Sequence, residues 1–392
     1  MYKYKRNGFT LVELMAVIII ISLIALLTFP NIINQIKKTK NSNNKMIEDV
    51  VIEQAKKYVN DNKDELLEDE YCMPISTLID NDYIKEDIVN INDIKDNKVV
   101  HITLDNNNSY EVLDKNKCFL SAVKYLLKKT NPITVTDYTD GDIHEMYTFN
   151  HEATEQTPAL TDYRYIGNDP NNYVEFNNEL WRIIGVFKVE DENGKWEDRI
   201  KIVRDEPLKS SKWDENNINE WISSMINMYL NETYDISDYS KLMISKVKYY
   251  LGGRKNVSDG SALYNSERSE IMVSADRSKN WLGLVGLIYP SDYIYTYSLG
   301  VDDICYNTPG NCRTDSGGNP IAGWLYKNKY QWTMTPNSSS STRLFRIVNY
   351  GILSSNGYTY GSNNIYPVVY LSSKVKITSG DGLIDNAYKL SI

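Results

Sequence analysis

The stretch Lys5-Arg6-Asn7-Gly8-Phe9-Thr10-Leu11-Val12-Glu13-Leu14, with the apolar run that carries on to Phe29, decides how the rest of the chain is read. From Phe9 to Phe29 there are 21 residues and a single ionisable group, Glu13. As a helix rising ~1.5 Å per residue the segment is about 31 Å long, the thickness of a bilayer's hydrocarbon core. Lys3, Lys5 and Arg6 precede it, and basic flanks stay cytoplasmic, so the pattern predicts a membrane helix over 9–29 with everything after Pro30 outside the cell. A secretory signal peptide has an apolar region of roughly 7 to 15 residues and a small-residue cleavage site. Here the far end reads Leu27-Thr28-Phe29-Pro30, which offers no such site.

Glu13 separates this segment from a plain anchor. A carboxylate at the bilayer centre costs about 2.5 to 3.5 kcal/mol, so it calls for a partner. If the chain is cut between Gly8 and Phe9, the new α-amine lies four residues before Glu13 on the same helix face, placed to neutralise it within a subunit or from a neighbour. Lys-Arg-Asn-Gly followed by Phe-Thr-Leu-Val-Glu-Leu resembles the type IV prepilin N-terminus. The resemblance implies that a membrane peptidase cuts after Gly8 and N-methylates Phe9, and that Glu13 registers subunits during assembly. Pro30 stands where pilin helices commonly carry a proline, and by removing one backbone donor it is expected to kink the helix.

Removing the eight leader residues from 392 leaves a mature chain of 384, too long for one compact core and consistent with a helix carrying two globular parts. Loss of Lys3, Lys5 and Arg6 takes the basic count from 43 to 40 against 52 acids, a net charge near −12. That excess argues against binding nucleic acid or anionic lipid through bulk charge. The 31 tyrosines suit a contact-making surface, and an AT-rich genome would enrich the same residue type.

Four cysteines, Cys72, Cys118, Cys305 and Cys312, lie in the part expected outside the cell and admit three pairings. The sequence-local choice joins Cys72 to Cys118 and Cys305 to Cys312, one bridge inside each expected module. With no Cys-x-x-Cys and no nearby histidine pair, a zinc site is not read from them.

Apolar residues at Ile32, Ile33 and Ile36, then Met46, Ile47, Val50, Val51, Ala55, Tyr58 and Val59, carry the helix on to about residue 62. Residues 63–130 form the expected head, with a short helix at Pro74–Ile79 and a hairpin from Val99–Leu104 and Ser109–Leu113. Its layout resembles short Gram-positive-type pilin heads. Residues 131–160 read as a connector, where His144 and His151 lie near Asp142, Glu145 and Glu152 in what is taken as a solvated polar segment.

From about Thr161 the chain becomes strand-rich and aromatic. Tyr173–Phe187 reads as two strands around Asn177-Asn178, Arg199–Arg204 as a third, and Trp221–Leu230 and Leu242–Leu251 as helical stretches whose tryptophan and tyrosine faces are core. The Cys305–Cys312 loop, Trp324, Trp332–Pro336, Leu344–Val348, Tyr366–Leu371 and Gly380-Asp381-Gly382 follow. This order resembles a C-terminal module that recurs in bacterial surface proteins and, further off, the sulfatase-modifying-factor and C-type-lectin-like fold, from which only the fold is carried over.

The expected class is therefore α+β: leader 1–8, pilin helix 9–62, small α+β head 63–130, connector 131–160, and a larger strand- and loop-rich module over 161–392. No Gly-x-Ser-x-Gly, His-Glu-x-x-His or phosphate-binding loop occurs, so no enzyme activity, metal or cofactor is expected; Asp302-Asp303 and Gly380-Asp381-Gly382 read as turns. The expected partners are other pilin subunits, the prepilin peptidase, the membrane and a surface ligand, glycan or protein, met by a minor or tip subunit. A pseudopilin of a secretion or DNA-uptake machine, or an enzyme domain on a pilin anchor, are the alternative readings.

Overall fold

A computed structural model gives the fold and describes residues 15, 42, 44–63, 70–89, 94–104, 108–134, 145–167, 169–296, 323–327, 329–348 and 351–392. The chain divides into two compact units, Met1–Phe119 and Leu120–Ile392, both mixing helix and strand.

In the first unit, residues 44–61 are helical (α1). Val51, Ala55 and Val59 recur at four-residue spacing and are buried, which is what fixes the inner face of this helix. That face packs on a three-stranded antiparallel sheet in sequence order, β1 (Glu70–Pro74), β2 (Lys98–Thr103) and β3 (Ser109–Asp114). Short helices α2 (Ile75–Asp80), α3 (Glu86–Val89) and α4 (Ile94–Asn97) fill the β1–β2 connection, with Ile75, Leu78 and Ile94 turned into the core. A disulfide joins Cys72 on β1 to Cys118 beyond β3.

The second unit begins earlier than the expected module, because α5 (Ala122–Thr130) belongs to it. Ser121 caps this helix, Ala122 and Leu126 enter the second core, and the Ala122 amide donates to Val375 O at 2.7 Å. After β4 (Ile133–Thr134), the supposed connector supplies a strand, β5 (Met146–His151), that buries Met146, Tyr147, Phe149 and His151 and pairs with β6 (Leu160–Tyr165). The sheet grows with β7 (Tyr173–Phe176), β8 (Glu179–Glu190) and β9 (Trp196–Arg204). Asn177 and Asn178 make the β7–β8 turn with φ of 58° and 57°, the doubly left-handed form that matches strand twist. At the β8 bulge, Gly185 passes so close to β6 that a Cβ would lie 2.1 Å from the Tyr163 carbonyl oxygen.

Then come β10 (Lys209–Ser211), α6 (Met225–Met228) with a π-helical turn over Tyr229–Thr233, and α7 (Asp238–Leu242). The expected second helical stretch ends there: Val247–Tyr250 is a strand, β11, paired with β12 (Asn280–Gly283) around α8 (Gly260–Glu267). Val247-Lys248-Tyr249-Tyr250 is β-branched and aromatic, and alternation wins over a helical period this short. The chain closes with β13 (Val285–Gly286), α9 (Pro290–Ile294), β14 (Gln331–Pro336), β15 (Arg343–Ile347), β16 (Leu353–Tyr358), β17 (Asn363–Ile365), β18 (Val368–Tyr370), β19 (Lys376–Ser379) and β20 (Lys389–Ser391).

The main sheet runs β13-β18-β9-β8-β6-β5-β4, with β7 paired to β8; a second runs β10-β17-β14-β15-β16. One apolar core joins them, and Trp213, Trp221, Trp281 and Trp332 meet in it as a chain of tilted and edge contacts with ring centres 5.7 Å apart.

Candidate functional site

Gly8, Phe9, Glu13 and Pro30 lie outside the described residues, as do His144, Asp302, Asp303, Cys305 and Cys312. Among the described residues no helix is long and apolar enough to cross a membrane. In the first unit His101 lies 3.0 Å from Glu70 and Lys98 bridges Glu48 and Asp114; among the described residues, the titratable groups that are buried together are all in the second unit.

Asp162 and Arg164 stand two residues apart on β6 and so share one face of the strand, turned inward. Arg164 Nη2 donates to Asp162 Oδ2 at 2.7 Å and Nη1 to Asp292 Oδ1 at 3.1 Å. Lys201, placed on β9 between Ile200 and Ile202, reaches Asp292 Oδ2 at 2.5 Å. The same Asp292 oxygen accepts the Tyr289 amide at 2.8 Å, which caps α9. Beside this triad, Glu267 at the end of α8 accepts the Ser291 amide and hydroxyl at 2.9 and 2.5 Å, and Arg268 lies 3.4 Å from its Oε2. His151, expected in solvent, is 7% exposed, lies 3.1 Å from Asp162 Oδ2 and stacks on Tyr264 at 3.6 Å. Arg268 covers the Tyr264 ring at 3.4 Å.

Three carboxylates thus balance three cations inside the core, and none of the six residues is more than 6% exposed. Burial alone would raise the Asp162 carboxyl, but Arg164, His151 and Arg268 together outweigh it and hold Asp162 well below the usual range. Burial likewise acts to raise Asp292, and Lys201 with Arg164 overrides it, so Asp292 also stays ionised. Glu267 goes the other way: burial pushes it up to about 7, with Arg268 opposing. Burial lowers both Lys201 and His151. Chemically this arrangement ties β6 and β9 to α9 through Asp292, and α8 to α9 through Glu267.

None of these residues was singled out from the sequence apart from His151. The available signal was a charge at alternating positions inside an apolar strand, as at Asp162, Arg164 and Lys201. Gly380-Asp381-Gly382 is a turn as read, with φ of 89° at both glycines and the Leu383 amide donating to Asp381 Oδ1 at 3.1 Å.

Above α8 the surface opens into a cavity of about 600 Å³, lined by Thr154, Glu155, Arg254, Asn265, Ser266 and Ile271 among others. It is the outer side of the wall whose inner side, Tyr264 and Glu267, closes the charged network.

Residues 3–29 match the family model of the prokaryotic N-terminal methylation motif. The chain therefore carries a type IV pilin-like class III signal, and that signal implies other pilin subunits and processing by the prepilin peptidase. No curated protein and no solved structure matches the chain.

Proposed function

We propose that the chain is a minor or tip subunit of a type IV pilus, which displays its second unit at the cell surface as an adhesion or ligand-binding module and catalyses no reaction. The observation that carries this is the methylation motif over residues 3–29 at the head of a chain whose larger unit is Leu120–Ile392. Before assembly the Phe9–Phe29 helix sits in the membrane. In a filament the same apolar face packs on neighbouring helices, with Glu13 matched to the amine of Phe9. A unit this large suits a terminal position, where its bulk meets few neighbours. The reading as a binder is supported by the second unit's charged network being sealed in the core while its open cavity is lined by hydrogen-bonding side chains.

Intact mass and N-terminal sequencing from the native host, with and without the prepilin peptidase, test the assembly route. The expected mature start is methylated Phe9, lost when the peptidase is absent. A start at Met1 in both strains would leave a membrane-anchored surface protein and end the pilin reading.

A further inference from the structure

The cavity above α8 is built from three separate stretches, and each is pinned. Thr154 Oγ1 donates to Arg268 O at 3.2 Å, and Gln156 Nε2 donates to Ser269 O at 2.8 Å while its Oε1 accepts from Asn280 at 2.9 Å. The Gly252 and Gly253 amides donate to Glu267 O and Ile271 O, both at 3.0 Å. Gly252 has no room for a side chain, since a Cβ would lie 2.3 Å from Ser266 O. The walls are therefore set before any ligand arrives, which lowers the ordering cost of binding.

Arg254 is the residue left unresolved by its surroundings. Its Nη1 donates to Ser266 Oγ at 3.0 Å, and its Nε is buried without an acceptor. Among the described residues no carboxylate lies within ion-pair distance of it, although the chain holds 52 acids against 43 bases. The fully buried guanidiniums of this unit, Arg164, Arg182, Arg199 and Arg268, each have a carboxylate beside them, whereas the half-buried Arg254, like Arg346, has only neutral partners, and of these two it is Arg254 that lines the cavity. A partly enclosed positive charge without a counter-charge is costly, and an incoming carboxylate offsets that cost with charge-assisted hydrogen bonds. The small apolar side chains Ala153 and Ala262 and the exposed Ile271 line the same cavity with Ser266 and with Glu155 and Asn265, both exposed. Such planar side chains suit pairs of neighbouring hydroxyls. A volume near 600 Å³ holds one or two sugar rings.

We infer that this cavity binds an acidic saccharide, with the sugar carboxylate on Arg254 and its hydroxyls on Asn265 and Glu155. This deepens, and rests on, the reading of the second unit as a ligand-binding module. A nucleic acid is disfavoured because this cavity, in an acidic protein, is lined by one guanidinium and offers no track for successive phosphates.

The test is retention of the purified full chain in detergent on an array of carboxylated oligosaccharides and their matched neutral counterparts. Carboxylated members are expected to be held. Arg254→Gln should weaken them at least tenfold, Arg254→Lys less so because it keeps charge but loses the fork. Asn265→Ala, at an exposed position that folding does not depend on, should weaken them severalfold. The inference is overturned if no carboxylated member is retained, if neutral counterparts bind equally well, or if Arg254→Gln and Asn265→Ala both bind as the unaltered chain does. Failure here would leave the processing of Gly8-Phe9 untouched, and failure of processing would leave this binding result standing.

Discussion

Asp292 holds two cations at once, Lys201 through one oxygen and Arg164 through the other. Removing it leaves two buried positive charges with only Asp162 between them. Breaking a buried pair in this way costs about 3 to 5 kcal/mol, so Asp292→Ala should lower the unfolding free energy of the second unit by that amount, read as a lower denaturation midpoint at unchanged slope. Glu267 gives a different signature. Its folded value is raised to about 7 from an ordinary 4.5, so the stability it contributes is full below the ordinary value and is lost as pH rises through the folded one. Glu267→Gln lacks that dependence, and stability measured relative to this variant should fall between about pH 5 and about pH 8. A flat difference would mean that Glu267 stays ionised throughout. Asp162 and Asp292, with lowered values, act in the opposite sense and lose their contribution only in strong acid, below the ordinary 3.8. The sequence displays these charges inside apolar strands, as Lys201 between Ile200 and Ile202 shows. It does not display their partners, because Asp162 and Asp292 are brought together only by the packing of α9 on the sheet.

Among the elements, the hairpins were the most legible. Asn177-Asn178 between two apolar runs specifies a two-residue turn chemically, since asparagine tolerates φ > 0 and β-branched residues do not. Asn177 also binds Asp235 O and the Ser237 amide, which makes Asn178 the cleaner test. Asn178→Val should cost about 1 to 2 kcal/mol in equilibrium unfolding while Asn178→Gly stays neutral or gains slightly. Equal effects of the two would mean that the turn geometry carries no energy. Strand β5 was missed because its flanks are acids and threonines, and the apolar alternation of Met146–His151 is visible only once those flanks are set aside. Strand β11 reads as helix in the sequence because apolar residues in four positions fit either period, and its partner β12 lies about thirty residues away.

At the scale of the whole molecule, the boundary between the two units at Phe119–Leu120 is not marked by composition. Residues 122–130 have an amphipathic pattern that suits either core, and what assigns them to the second is the contact of Ala122 and Leu126 with residues far along the chain. The first unit has a core of few side chains, led by Val51, Ala55, Ile75, Leu78 and Val100, so a cross-link matters more there than in the second. Cys72–Cys118 spans 46 residues, and in the chain-entropy account a loop of that size contributes about 4 kcal/mol. If the units unfold separately, Cys72→Ala/Cys118→Ala should lower one thermal transition and leave the other where it was. Asp292→Ala should do the converse. A single transition moved by both changes would show that the units unfold as one. Separate transitions would fit a subunit whose head is built for the filament and whose larger unit keeps its own fold wherever it is displayed.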